Sequence, residues 1–252
     1  MFRSLAVLAV SAAFPALLSA QTVDEVIARH LEARGGIERV KAVKTLRMNG
    51  RITIGKEGTG PFSLELKRPN KMRVEFVLGG QVAVQAFDGT RGWVVMPFAG
   101  ITEPQFQPPG EPRELAEQAD IDGPLLDYAS KGARVALIGK TGLASGEAWK
   151  LRMTLRAGVV RFLFIDVKTG YLVRAEEKRR AGEGDMTFIN VFSDHRKVHG
   201  LALPFRVESA PDGSAEKQVL VFDTIEVDAP IEESRFAVPS GAKPAAKPVD
   251  QP

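Results

Sequence analysis

The chain has no cysteine among its 252 residues. Disulfides, thiol nucleophiles, iron–sulfur clusters and cysteine-ligated zinc are thereby excluded. Histidine is nearly as scarce, at His30, His195 and His199. Asp194, His195 and His199 have the residue types of a metal site, but Val198, Leu201 and Leu203 around them read as a hairpin. Residues four apart on a strand lie about 13 Å from each other, too far to share one ion. No metal and no cofactor is expected. There is no G-x-S-x-G turn, so a serine hydrolase has no nucleophile elbow. No glycine-rich phosphate loop follows a strand. Asp120 and Asp122 precede Gly123 as in half of a calcium loop, yet the closing bidentate glutamate is missing; a helix N-cap is the expected role. Glu176 and Glu177 fall in a charged strand and are expected to be solvated. The net charge of +3 is small and lacks a clustered basic reading motif, which argues against nucleic acid as a partner. With no nucleophile and base arranged for catalysis, the chain is not expected to be an enzyme.

What is present begins with a leader. Met1-Phe2-Arg3 gives a positive start, and Leu5 to Leu18 is an apolar run too short to span a membrane. Leu18-Ser19-Ala20 ends it in small residues, so residues 1–20 read as a signal peptide cleaved after Ala20. No cysteine follows to carry a lipid anchor. A soluble, exported product is expected. It must rely on its core alone, and 44% hydrophobic residues in a chain of this size suffice for one.

The mature chain opens with Thr22-Val-Asp-Glu25, a capping box. Val23, Val26, Ile27 and Leu31 then share one helical face, and Gly35-Gly36 ends the helix. A short helix over Ile37–Ala42 follows. Beyond it, apolar and polar residues alternate: Leu46, Met48, Ile52 and Ile54, then Phe62, Leu64 and Leu66, then Met72, Val74, Phe76 and Leu78. Period two means strands with one wet and one apolar face. Val82–Phe87 and Gly92–Met96 are apolar on both faces and need cover on both. The N-terminal helix is the expected cover for one. Residues 97–110 are rich in Pro and Gly and read as a loop. Seven more strands are expected between Arg134 and Val227, separated by Gly- and Asp-containing turns. The total is about twelve strands in an antiparallel meander, enough to curl into a barrel. Pro204 interrupts one of them and marks an edge or a bulge. Residues 240–252 lack apolar bulk and read as a disordered tail.

Between the two sets of strands lies the only helix-like segment in the middle of the chain, Glu111 to Lys131. Leu115, Ala119, Ile121, Leu125, Leu126 and Tyr128 make it partly apolar. Gly123 and Pro124 break it into two short helices. A broken apolar helix pair inserted among strands needs a surface to lie on, and it is expected to form a lid over the curved sheet.

The turn Lys67-Arg68-Pro69-Asn70, followed after a strand by Asp88-Gly89, Trp93, Pro97 and Phe98, resembles the LolA family of periplasmic lipoprotein carriers and the broader group of outer membrane lipoprotein-sorting proteins. Gly123-Pro124-Leu125-Leu126 and the ending Ser234–Pro239 support the likeness, which runs over about residues 22–239. It implies a mainly β fold, a half-open antiparallel β-barrel of about 11–12 strands with an N-terminal helix and a helical lid. It also implies an apolar cavity for the acyl chains of lipoproteins or lipids, a periplasmic location, and transfer partners at the inner and outer membranes. A monomer is expected. By the resemblance, Arg68 hydrogen-bonds lid backbone carbonyls and latches the closed state. Leu64, Met72, Val74, Phe76, Trp93, Phe162 and Phe164 are the cavity-lining candidates. An envelope sensor or interaction module on the same fold, binding lipidated or misfolded proteins, is the alternative. The long, Pro-rich stretch from Ala99 to Gly110 departs from the family pattern.

Overall fold

A computed structural model describes residues 21–108, 111–181 and 184–245; the expected signal peptide and residues 246–252 of the expected tail lie outside them. Helices α1 (Val23–Ala33) and α2 (Ile37–Ala42) lead into β1 (Thr45–Ile54), β2 (Gly58–Lys67), β3 (Lys71–Leu78), β4 (Gln81–Phe87), β5 (Gly92–Met96) and β6 (Ile101–Phe106). Helix α3 (Glu111–Gln118) follows. The chain then continues as β7 (Arg134–Leu143), β8 (Gly146–Thr154), β9 (Val160–Asp166), β10 (Leu172–Ala181), β11 (Gly184–Val198), β12 (Leu201–Pro211) and β13 (Gln218–Val227).

The capping box forms as its residues predict. Glu25 N donates to Thr22 Oγ1 at 3.3 Å, and Thr22 N donates to Glu25 Oε2 at 2.9 Å. All thirteen strands of the described residues join one antiparallel sheet, ordered β6-β5-β4-β3-β2-β1-β13-β12-β11-β10-β9-β8-β7. The sheet is therefore not closed. Its two edge strands, β6 and β7, are consecutive in sequence, and the segment 107–133 must run from one edge to the other. That topology places the expected lid by chain connectivity alone.

Strand β6 adds one to the expected count, within a stretch that reads as loop. Its Pro104 is tolerated because β6 is an edge, where a missing N–H leaves no ladder bond unmade. Pro204 follows the same logic. Among the described residues β12 pairs with β13 only over 206–209, and Pro204 stands opposite His195, next to Asp194, whose φ of 52° interrupts the ladder without shifting its register. The second half of the expected helix pair is a different matter. Residues 121–132 form a succession of turns rather than a helix. Gly123 (φ 74°) and Asp127 (φ 52°) both take the left-handed conformation, which no right-handed helix accommodates.

One apolar cluster fills the face that carries the helices. It joins Val26, Leu31 and Val40 of α1 and α2, Leu115, Leu125 and Leu126 of the crossing segment, and inward residues of both halves of the sheet. The cover over β4 and β5 differs from expectation. On the inner face it is α3: an added Cβ at Gly92 would meet Gln107 Oε1 at 2.3 Å and Leu115 Cδ1 at 2.4 Å, so glycine leaves room for both side chains to seat there. On the outer face Val84, Ala86 and Trp93 form a separate cluster with Val95 and Val238. Helix α1 instead sits over the turn at Gly170, and the bend at Gly35 that follows it lies against Gly200.

The outer face of β1–β5 is crossed by the C-terminal segment. Thr45 Oγ1 donates to Ala229 O at 2.6 Å, Arg47 to Pro230 O at 2.7 Å, Lys67 to Ile231 O at 2.7 Å and Trp93 Nε1 to Phe236 O at 3.2 Å. Phe236 is fully buried. The segment then reaches β6, where Lys243 N donates to Pro104 O and Lys243 O accepts from Phe106 N. Carbonyls of an extended strap are thus satisfied by side chains of successive strands, as burial of backbone polar groups demands.

Candidate functional site

The crossing segment, 111–133, and the trough beneath it form the candidate site. Leu115, Ala119, Ile121, Leu125 and Leu126 are all buried, the two adjacent leucines to 1% exposure each; Tyr128 is half-buried against the same cluster. Of the cavity-lining candidates, Met72 and Phe76 lie in that cluster, and Leu64 and Val74 pack on its margin.

The other three face away. Trp93 belongs to the outer cluster, under the C-terminal strap, with Arg73 5.6 Å from its ring. On β9 it is Leu163 and Ile165 that enter the core. Phe162 and Phe164 point to the opposite face, where Lys150 Nζ lies 4.4 and 5.3 Å from their rings. Strand β9 is apolar on both sides, so alternation gives two equal solutions; packing and cation–π contacts with Lys150 and Arg174 select one.

Arg68 lies beside the crossing segment, but its partners differ from those the resemblance implies. Its guanidinium donates to Val43 O at 2.6 Å and Val40 O at 3.0 Å, satisfying the C-terminal end of α2. It reaches the crossing segment through the side chain of Asp122, at 2.5 Å. The carbonyls of that segment are taken by Arg34, which donates to Asp122 O and to Ile121 O, the latter at 3.0 Å. Arg34 was not singled out from the sequence, since a basic residue at the end of α1 is ordinary helix-dipole chemistry. Its signal lay only in the glycine pair that follows, which ends the helix and leaves the side chain free to reach forward.

Asp122 therefore joins two arginines, one through its carboxylate and one through its carbonyl. Burial pushes its carboxyl up, but the hydrogen bond and charge of Arg68, with the charges of Lys131 and Arg34, outweigh this and hold it below the usual carboxylate range. Neither Asp120 nor Asp122 caps a helix. Asp120 Oδ1 accepts from Asp122 N at 3.0 Å, and its Oδ2 meets Lys131 Nζ at 2.5 Å. Lys41 closes the row with Asp127 at 2.8 Å on the surface.

On the opposite side α3 is held by charge. Arg161 of β9 pairs with Glu177, its register partner on β10, and its Nη2 lies 2.5 Å from Glu117 Oε2 of α3. Glu177 is thus not solvated, with only 8% of its surface exposed. Burial pulls the Arg161 guanidinium down, and the hydrogen bond and charge of Glu177, then those of Glu117, more than restore it, so that its pKa is raised.

Three cavities surround the crossing segment and share Pro124. The largest, about 550 Å³, lies between it and β8–β9, with Met153, Leu155 and Arg161 in its wall. A second of about 200 Å³ shares Glu117 and Arg161 with the first. The third, about 230 Å³, lies under α1, where His30 and His195 meet Leu172 and Leu203. His30 Nδ1 faces Gly170 O at 3.0 Å, and burial above all holds its pKa down at about 4. His195 stacks on Tyr171, ring centroids 4.5 Å apart, and His199 sits in the β11–β12 turn. Among the described residues no group of three or more metal-ligating side chains converges, and no helix is long and apolar enough to cross a membrane.

The sequence matches no protein-family model and no curated protein. Solved structures do match. A LolA superfamily protein from Nitrosomonas europaea superposes with a TM-score of 0.56 at 13% identity, covering 86% of this chain and 98% of that one. A DUF1329 family protein from Desulfovibrio piger gives 0.60 at 12% identity, over 86% and 98% of the two chains. A putative outer membrane lipoprotein-sorting protein domain from Vibrio parahaemolyticus gives 0.55 at 11% identity, over 83% and 94%. The open antiparallel sheet crossed by a helical segment is the LolA-like fold.

Proposed function

We propose that the protein is a periplasmic carrier that holds acyl chains of lipoproteins or lipids beneath the 111–133 lid and passes them toward the outer membrane, without catalysing a reaction. One observation carries the reading. Lid leucines and an apolar trough bury each other, while adjoining cavities already open the same wall to a ligand. A volume of about 550 Å³ falls within the range of about 300–1,000 Å³ usual for small-molecule sites. Each methylene buried there contributes about 0.8 kcal/mol. An acyl chain and the lid leucines compete for one surface, so binding and lid opening are coupled, and the arginine contacts of Asp122 set how readily the lid leaves. Cleavage after Ala20, a monomeric mature chain, and loading and unloading partners at the two membranes complete the reading.

Native mass spectrometry with lipid extraction on the mature protein from its periplasm tests it. Co-purifying acylated species are expected. A bare protein mass together with no uptake of a fluorescent fatty acid would overturn it.

A second reading, an envelope interaction module, draws on edge strand β7. It pairs on one side with β8 only and leaves Ile138 56% exposed, a surface suited to strand addition by a partner chain. A partner captured without lipid, and lost on placing a proline at Ile138, would favour that module over the carrier.

A further inference from the structure

Arg161 lies where the two cavities of about 550 and 200 Å³ meet. An ion pair drawn largely out of water is seldom a better stabiliser than apolar side chains of equal volume, and Met153 and Leu163 beside it in these walls are apolar. The two carboxylates on Arg161 are unlike in origin. Glu177 comes from the sheet, directly opposite in register, and takes the Nε edge. Glu117 comes from α3, the element a ligand must displace, and sits on Nη2. When α3 lifts, Glu177 stays and the outer edge of the guanidinium is vacated. That edge is a planar fork of donors matched to a carboxylate or phosphate.

The same cavity has a second polar feature. The amide oxygen of Asn70 is buried there without a hydrogen-bond partner. Beyond these groups the apolar wall is supplied by Pro69, Ala116, Pro124, Ala133, Met153 and Leu155, and Asp120, Lys131 and Arg156 are its other charged groups. The space thus sets cationic and polar groups beside an apolar stretch long enough for part of a chain, and Arg161 is the cation whose present partner belongs to the displaceable helix.

We propose that Arg161 is a headgroup site: an amphiphile with an anionic head, carboxylate or phosphate, lays its chain along the apolar wall and takes the place of Glu117 on Arg161. This rests on the carrier reading and names the ligand class within it. Charge count gives the selectivity. Closed, Arg161 has two carboxylates. Loaded with an anionic amphiphile it again has two anionic partners. A neutral amphiphile of equal chain length removes Glu117 and returns nothing, leaving a largely buried guanidinium short of acceptors.

The test compares dodecanoate and dodecyl phosphate with dodecanol, below their micelle concentrations, on the full mature chain by titration calorimetry. The anionic ligands are expected to bind at least about tenfold more tightly than dodecanol. Arg161→Met is expected to erase that difference while leaving dodecanol binding intact, which also certifies the fold. Glu117→Gln is expected to tighten the anionic ligands by weakening their competitor. Should Arg161→Met not fold, Arg161→Lys keeps the charge but not the fork, and is expected to lose most of the preference. Equal binding of dodecanoate and dodecanol by the unmodified protein, or a preference that survives at Arg161→Met or Arg161→Lys, overturns the headgroup site and leaves the carrier standing. Failure of all three ligands to bind overturns both. Extraction of phosphatidylglycerol but not phosphatidylcholine from vesicles would assign the anion to a membrane lipid. Dodecanoate binding without such extraction would assign it to free fatty acids.

Discussion

The two halves of the sheet hold the same crossing segment by different forces. Strands β1–β6 meet it with apolar surface: Leu115 on Gly92, beside Met72, Phe76 and Phe87. Their outer face is bound down by the C-terminal strap. Strands β7–β12 meet it with Arg161 and with space, and the three cavities along the crossing segment are lined chiefly from this half. Close packing is costly to undo and indifferent to what replaces it. A charge pair beside a cavity can exchange one anion for another. The division suggests a fixed half that anchors the segment and a responsive half that admits a ligand.

Four measurements bear on that contrast. The largest effect is expected in the packed half. Met72→Ala should lower unfolding free energy by about 2–5 kcal/mol, and Met153→Ala, which borders the large cavity, by an amount at the low end of that range. Equal losses in urea denaturation would mean the halves do not differ in packing. Next comes pH, which should act on the cavity side through His30. His30 titrates near 4 when folded and near 6.5 when unfolded. Between those values the unfolded chain binds the extra proton, so the His30 contribution to stability declines as pH drops from about 6.5 to about 4 and levels below, by up to about 3 kcal/mol in all. His30→Gln should flatten this limb; an unchanged slope would exclude His30 as its source.

Third, Arg34→Met removes two charged hydrogen bonds to crossing-segment carbonyls, worth about 2 kcal/mol. Amide exchange at Ala119, Gly123 and Ala133 should rise more than with Arg68→Leu, which loses contact there only with the Asp122 side chain. The reverse order would restore to Arg68 the role that the resemblance implies. The smallest effect is expected at Lys41→Ala. Its exposed pair with Asp127 should contribute little, because solvent screens it, and a loss as large as that of Arg34→Met would move the hold on the segment to the surface.

Much of this was legible in the chain. Thr22 and Glu25 announce the first helix because a capping box is a local hydrogen-bond pattern. Leu64 to Phe76 announce paired strands because alternation with Ser63, Glu65, Arg73 and Glu75 leaves one consistent face. The failures share a cause. Phe162 and Phe164 alternate with residues just as apolar. Glu177 reads as solvated because its partner is sixteen residues away on another strand. Pro104 hides a strand that only its edge position permits.

Sequence alone determined which stretches other than β6 are strands, where most chain reversals fall, and that one apolar segment separates two runs of strands, since each is set by neighbours a few residues apart. Tertiary structure alone decided which face of β5 and β9 is the inside, that Arg34 rather than Arg68 holds the carbonyls of Ile121 and Asp122, and that Arg161 stands between Glu117 and Glu177. Those outcomes depend on groups brought together by sheet order, where burial makes each unpaired charge or carbonyl costly and leaves one arrangement that satisfies them.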